Sequence, residues 1–289
     1  MPTDSGPLVL VAITLVAATV NGALGYGFSS LTVPVAVLLY ASRALNPALV
    51  IVEVVVNSYS LFINRKSVPR VWKRTLPILG GLLPGVVAGS LILSTVNAAQ
   101  IRVLTYVVLL PLILLQAAGF RRYVHAERAV GVPLGAGIGI VYSVTTISGP
   151  PLALMLNNQG LAREDFRASL AIIRIAESSL AAIAYAFLGL YTLQTGSLLV
   201  LIAPGVLIGV PLGAFLIRRL AAETFRRICM SFDAWIISFG LSRTLMMLGV
   251  LPDPSAYMVL AAVAAIDLVL LYQFFKNGRR PVLAYVRSH

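Results

Sequence analysis

Five predominantly apolar runs, at residues 45–63, 75–93, 166–188, 193–217 and 256–275, dominate this chain of 289 residues. Each approaches or exceeds the ~20 residues that a helix needs to cross a hydrocarbon core of ~30 Å. Lipid offers no partners for backbone N–H and C=O groups, so a spanning segment must be a helix or a strand of a closed barrel. These runs are continuously apolar rather than alternating, which selects helices. The residue balance agrees, because 59% of residues are hydrophobic and 11% charged, against about 25% charged in a soluble domain. Mean hydropathy is +0.93. The sequence reads as an all-α membrane protein of about ten helical segments.

A net charge of +12 raises the question of nucleic acid, but the basic residues sit in short clusters between apolar runs instead of along one soluble face. Eighteen of the 22 Lys and Arg residues fall within residues 65–74, 121–128, 163–167, 218–227 and 276–287, whereas the intervening loops hold only Arg43 and Arg102. Basic loops mark the cytoplasmic side. The pattern predicts a multi-pass protein of the cell inner membrane with its N-terminus outside and its C-terminus in the cytoplasm. The expected partners are the lipid bilayer and a small anion, not nucleic acid, and a homo-oligomer is compatible with the sequence. Residues 8–23 are preceded by Asp4 and by no basic residue, so they read as a first segment that is not cleaved as a signal peptide. The lone Cys229 lies in an apolar stretch and gives neither a disulfide framework nor a metal spacing. No cofactor is expected.

Two stretches are too short to span, residues 28–40 and 150–158. The first would form ~20 Å of helix. Each follows a longer helix and a Gly-rich or Gly-Pro break, which predicts a helical hairpin. An internal repeat accompanies them. Gly22 and Pro34 match Gly139 and Pro151 at an offset of 117, and Gly85, Gly89, Ala98 and Arg102 match Gly209, Gly213, Ala222 and Arg226 at an offset of 124. Under the charge-based topology the copies run in opposite directions, as in inverted-repeat transporters. The expected first repeat is 1–128 (hairpin 8–41, spans 45–63, 75–93 and 101–119). The second is 129–250 (hairpin 129–158, spans 166–188, 193–217 and 228–248). Residues 251–289 add one helix and a basic cytoplasmic tail.

These features resemble the sulfite exporter TauE/SafE family of multi-pass membrane proteins over roughly residues 8 to 248. The resemblance rests on the segment from Gly22 to Pro34, on its second copy running from Gly135-Ala-Gly-Ile-Gly139 to Ser148-Gly-Pro-Pro151, and on Gly-x-x-x-Gly helices followed by a polar turn and an Arg. It implies secondary transport of sulfite, a sulfonate or a related organic acid. Where the family often has a run of glycines, this chain has Gly25-Tyr26-Gly27-Phe28-Ser29-Ser30.

An anion inside a membrane needs donors and positive potential, and the N-terminus of a half-helix supplies both. Candidate substrate-binding residues are therefore Asn21, Tyr26, Gly27, Ser29 and Ser30 at the first break, and Thr145, Thr146, Ser148 and Gly149 at the second. Small and hydroxylated residues also serve close helix packing, so that reading stands beside the first. Ionisable groups within spans are costly and call for pairing or function. Glu53 and Asn57 lie one turn apart, as do Arg174 and Glu177, and at the 117 offset Asn57 aligns with Arg174 and Ser60 with Glu177. Arg174 can give the fixed positive charge for the anion, with Glu53 and Glu177 as proton-coupling groups and Asn57 as a substrate contact. Alternatively Arg174 and Glu177 form a local ion pair. The glycines at 80, 81, 85, 89, 205, 209 and 213 read as packing surfaces, and Asp233, Arg243 and Asp267 as structural. No His, Cys or paired-acid cluster suggests an enzyme. A passive anion channel is the other alternative.

Overall fold

The computed structural model describes residues 6–118, 127–157, 161–216 and 222–276. Among them are eleven α-helices and no strand. The first five are α1 (Gly6–Leu24), α2 (Phe28–Ala36), α3 (Ser42–Ile63), α4 (Val68–Thr95) and α5 (Ala98–Ala117). The next five are α6 (Glu127–Thr145), α7 (Gly149–Asn157), α8 (Arg163–Phe187), α9 (Leu193–Leu216) and α10 (Ala222–Met247), and α11 (Met258–Lys276) follows. Residue 158, the expected end of the second hairpin, and the Arg pairs at 121–122 and 218–219 lie outside the described residues.

Six helices, α1, α3, α4, α8, α9 and α11, are long and apolar enough to cross a membrane. Their outward faces carry large apolar side chains such as Phe187, Leu193, Val200 and Leu207, all well exposed. A bilayer is the solvent in which such a surface is stable. The chain is an all-α membrane protein. Helix α10 is also long, at 26 residues, but Arg227, Asp233 and Arg243 make it more polar.

Helices α2 and α7 have nine residues each. That is ~14 Å of helix, about half of the hydrocarbon thickness. The first is shorter than the stretch 28–40 suggested, because α2 ends at Ala36 and the chain turns, with the Tyr40 N–H bonded to the Ala36 carbonyl at 2.8 Å. Both short helices begin at a sharp break. Gly25 and Gly27 have φ of 85° and 106°, a region in which only glycine is free of Cβ clash. At the second break the left-handed residue is Thr146, with φ 55°, a conformation worth about 1–3 kcal/mol of strain. Neighbours hold it in place. The Thr145 hydroxyl accepts the Ile147 N–H at 3.0 Å, Asn46 Nδ2 donates to the Val144 carbonyl at 2.7 Å, and the Tyr185 hydroxyl donates to the Ser143 carbonyl.

Packing is reciprocal between the two parts of the chain. Helix α1 lies along α9, α6 lies along α4, and α3 lies against α8 at the centre. Small residues set the spacing. A Cβ on Gly89 would stand 2.6 Å from the Ile140 carbonyl oxygen, and one on Gly209 would stand 2.7 Å from Ala18 Cβ and from the Leu15 carbonyl oxygen. Backbones this close gain dispersion contacts that lipid cannot match. Gly80 departs from the expected packing surface, because a Cβ there meets nothing within 4 Å. Arg227, counted among the basic loop residues, is instead buried in α10. It donates to Asp267 Oδ1 of α11 at 2.8 Å and so ties α11 to the bundle.

Candidate functional site

Helices α3 and α8 place their ionisable residues on the faces they share. Glu53 and Arg174 are 1% and 2% exposed. Arg174 Nη2 donates to Glu53 Oε1 at 2.6 Å, joining residues 121 positions apart in sequence. The same Glu53 oxygen accepts the Ser29 hydroxyl at 2.6 Å, and Glu53 Oε2 accepts the Tyr142 hydroxyl at 2.6 Å. Three helices besides α3 therefore converge on one carboxylate, namely α2 through Ser29, α6 through Tyr142 and α8 through Arg174. Charge-assisted hydrogen bonds of this length are the strong class, and their strength grows in a low dielectric.

A second carboxyl completes the cluster. Glu177, one turn beyond Arg174, accepts the Ser148 hydroxyl on Oε1, which lies 3.9 Å from Arg174 Nε. Glu177 Oε2 and Arg174 Nε are buried with no hydrogen-bond partner among the described residues. Arg174 also reaches α1, donating from Nη1 to Asn21 Oδ1 at 3.4 Å. One guanidinium thus faces two carboxyls. With all three ionised the cluster would hold one negative charge in excess, and a buried excess charge is expensive.

The two breaks touch. A Cβ on Gly149 would lie 3.3 Å from the Tyr26 ring and 3.8 Å from the Gly27 nitrogen. Arg167 of α8 donates to the Ala23 carbonyl at 2.7 Å, satisfying one of the orphan acceptors at the end of α1. Ser30 turns its hydroxyl back to the Gly27 carbonyl at 3.2 Å. The Thr145 hydroxyl donates to the Val141 carbonyl at 2.7 Å and the Thr146 hydroxyl to the Thr145 carbonyl at 2.7 Å. Asn57, one turn beyond Glu53, is buried with Nδ2 unpartnered among the described residues.

Asn21, Ser29, Ser148, Glu53, Arg174 and Glu177 are therefore joined in one polar cluster, with Tyr26, Gly27 and Gly149 at the meeting of the breaks. Thr145 and Thr146 hold the second break together. The register within the central pair differs from the one read in the sequence. Glu53 and Glu177, not Ser60 and Glu177, take like roles, each accepting a serine hydroxyl from the start of the preceding short helix. They stand 124 residues apart, the offset at which Gly85 and Gly89 match Gly209 and Gly213. At that offset Val50 occupies the place of Arg174, so the cation has no counterpart in the first half. The local Arg174–Glu177 pair is the weaker contact. Tyr142 and Arg167 were not read from the sequence as site residues. Tyr142 is one aromatic on an apolar helix, and Arg167 looks like any basic loop residue.

A membrane-embedded bundle with two helices interrupted at a shared polar cluster has the form of a transporter rather than of a receptor or an anchor. The family model for sulfite exporter TauE/SafE matches residues 10–239. The chain belongs to that family, one of membrane transporters of the sulfite exporter type. No curated protein and no solved structure matches it.

Proposed function

We propose that this chain is a proton-coupled secondary carrier that moves a small anion, sulfite or an organosulfonate, across the inner membrane by alternating access. The observation that carries the reading is the buried Arg174, held by Glu53 and neighboured by Glu177 where two half-helices begin. An incoming anion competes with the Glu53 carboxylate for the guanidinium. Protonation of Glu53 releases Arg174 to the anion, and Ser29 and Ser148 supply further donors beside the half-helix N-termini. With Glu177 carrying one proton in the empty carrier, a singly charged anion brings one more proton, taken by Glu53, and the buried site stays close to neutral.

Residues 1–128 and 129–250 act in this reading as inverted repeats that rock against each other, with the N-terminus outside and the C-terminus in the cytoplasm. The reciprocal packing of α1 on α9 and of α6 on α4 supports it, as does the distribution of basic residues.

In proteoliposomes, a proton gradient should drive sulfite accumulation. Uncoupled sulfite conductance at channel rates would support a passive anion channel instead. In purified protein, sulfite at a hundredfold excess over its Kd should stabilise the fold by about 2.7 kcal/mol. Arg174→Ala should abolish that stabilisation while the protein stays folded. Unchanged stabilisation in that variant would remove Arg174 from the site.

A further inference from the structure

Of the four acids buried among the described residues, Glu53 is paired with Arg174 and Asp267 with Arg227. Glu177 shares Arg174 at longer range. Asp233 of α10 has no cation paired with it among the described residues. It is 7% exposed, its Oδ1 has no hydrogen-bond partner among the described residues, and it lies against the Ser30 hydroxyl of α2. Among the described side chains, the helices around it offer no compensating charge. Helices α1 and α2 carry no ionisable side chain. From α5, the Tyr106 hydroxyl is given to the Pro34 carbonyl at 2.9 Å. From α11, Asp267 is held by Arg227, which lies on Asp233's own helix, and in the turn just before α11 Tyr257 packs against Phe239.

The first turn of α2 is thus clasped between two acids, Ser29 on Glu53 and Ser30 against Asp233. Ionised, Asp233 would place an unpaired negative charge beside the positive end of α2 and oppose an anion there. Protonated, it leaves that end free. The other short helix, α7, has no such group beside it, because Leu109 of α5 stands at the position 124 residues earlier.

We infer that Asp233 is a proton-binding residue coupled to anion binding at the start of α2, separate from the Arg174 cluster. The inference rests on the anion-carrier reading for its ligand but not for its proton. Two measurements keep these apart. Infrared spectra of purified protein without anion should show the carbonyl stretch of a protonated buried carboxyl that disappears in Asp233→Asn, and a second that disappears in Glu177→Gln. Calorimetry with sulfite in buffers of different ionisation enthalpy counts protons taken up on binding. Asp233→Asn should flatten the loss of sulfite affinity with rising pH, by about tenfold per proton removed from the linkage for each pH unit above its titration.

An infrared spectrum of Asp233→Asn identical to that of the wild type overturns the inference. So does a wild-type pH profile of sulfite affinity in that variant, or sulfite binding set by sodium and indifferent to pH. If the wild type binds no sulfite while the Asp233 band is present, it is the carrier reading with sulfite that fails. Asp233→Glu, which keeps a titratable group, should restore the pH profile.

Discussion

Removing Glu53 and removing Arg174 break the same contact but should not cost the same. Glu53→Ala leaves a buried guanidinium that cannot shed its charge, and removing one partner of a buried pair costs about 3–5 kcal/mol. It also orphans the Ser29 and Tyr142 hydroxyls, each 2.6 Å from the lost carboxylate. Arg174→Ala leaves a carboxyl that keeps both of those donors and can take up a proton, so its cost is closer to that of one charge-assisted hydrogen bond, about 1.5–3 kcal/mol. Glu177 moderates the first loss only if its Oε1 closes the present 3.9 Å to Arg174. The double substitution Glu53→Leu with Arg174→Met removes both charges together and leaves only the Ser29 and Tyr142 hydroxyls unpaired, so it should cost less than the sum of the two single changes. Equilibrium unfolding by SDS titration in mixed micelles, followed by circular dichroism, would measure all four proteins. The reasoning fails if Arg174→Ala is the costlier single change, or if the double variant costs the sum of the two.

Three further outcomes follow from the packing and the surface charges. Gly89→Ala should destabilise by about 1–3 kcal/mol through overpacking against the Ile140 carbonyl and Ser143. Gly80→Ala meets open space and should be neutral or stabilising by up to about 1 kcal/mol, a contrast that thermal melts can resolve. Asp267→Ala should cost about 3–5 kcal/mol by leaving the Arg227 charge unpaired, with bonds only to Ser231 at 3.0 Å and to the backbone carbonyl of residue 267 at 3.2 Å, and should leave α11 more open to proteolysis. The last outcome concerns the starts of α4 and α8, which precede the apolar runs 75–93 and 166–188 and belong to the basic clusters. Arg70 donates to Asp165 at 2.8 Å and, with Ser67, holds its carboxyl below the usual carboxylate range. The unfolded chain then binds this proton at higher pH than the folded one, so the stabilisation is present above the ordinary carboxylate pKa and is lost as pH falls through the depressed one. Arg70 is well exposed and Asp165 only partly buried, so the effect is small. Melting temperatures of wild type and Asp165→Asn should differ by a constant amount above about pH 5 and converge in acid.

Much of this architecture is local information. Whether a run of residues is apolar enough to span, and whether Gly25 and Gly27 break it, depends on a single segment and its solvent. The membrane class, the two short helices and the identities of Glu53, Arg174 and Glu177 as buried ionisable groups were therefore readable from the sequence. Cost marked them out, since a charge inside a span needs a reason wherever its partner sits.

Partnership was not local. The i, i+3 spacing suggested that Arg174 belongs with Glu177, yet its close contact is with Glu53 on another helix, 121 residues away. Helix rotation and the close approach of α3 to α8 decide that, and both depend on which small residues let which backbones meet. The same holds for Tyr142, which became a site residue only when α6 packed beside α4 and turned its hydroxyl to Glu53. Arg227, charged and near a helix start, carries a loop signature and a buried partner at once. Hydropathy says which groups need compensation. Only tertiary packing says what provides it, because a hydrogen bond of 2.6 Å fixes distances and directions that a sequence pattern leaves open.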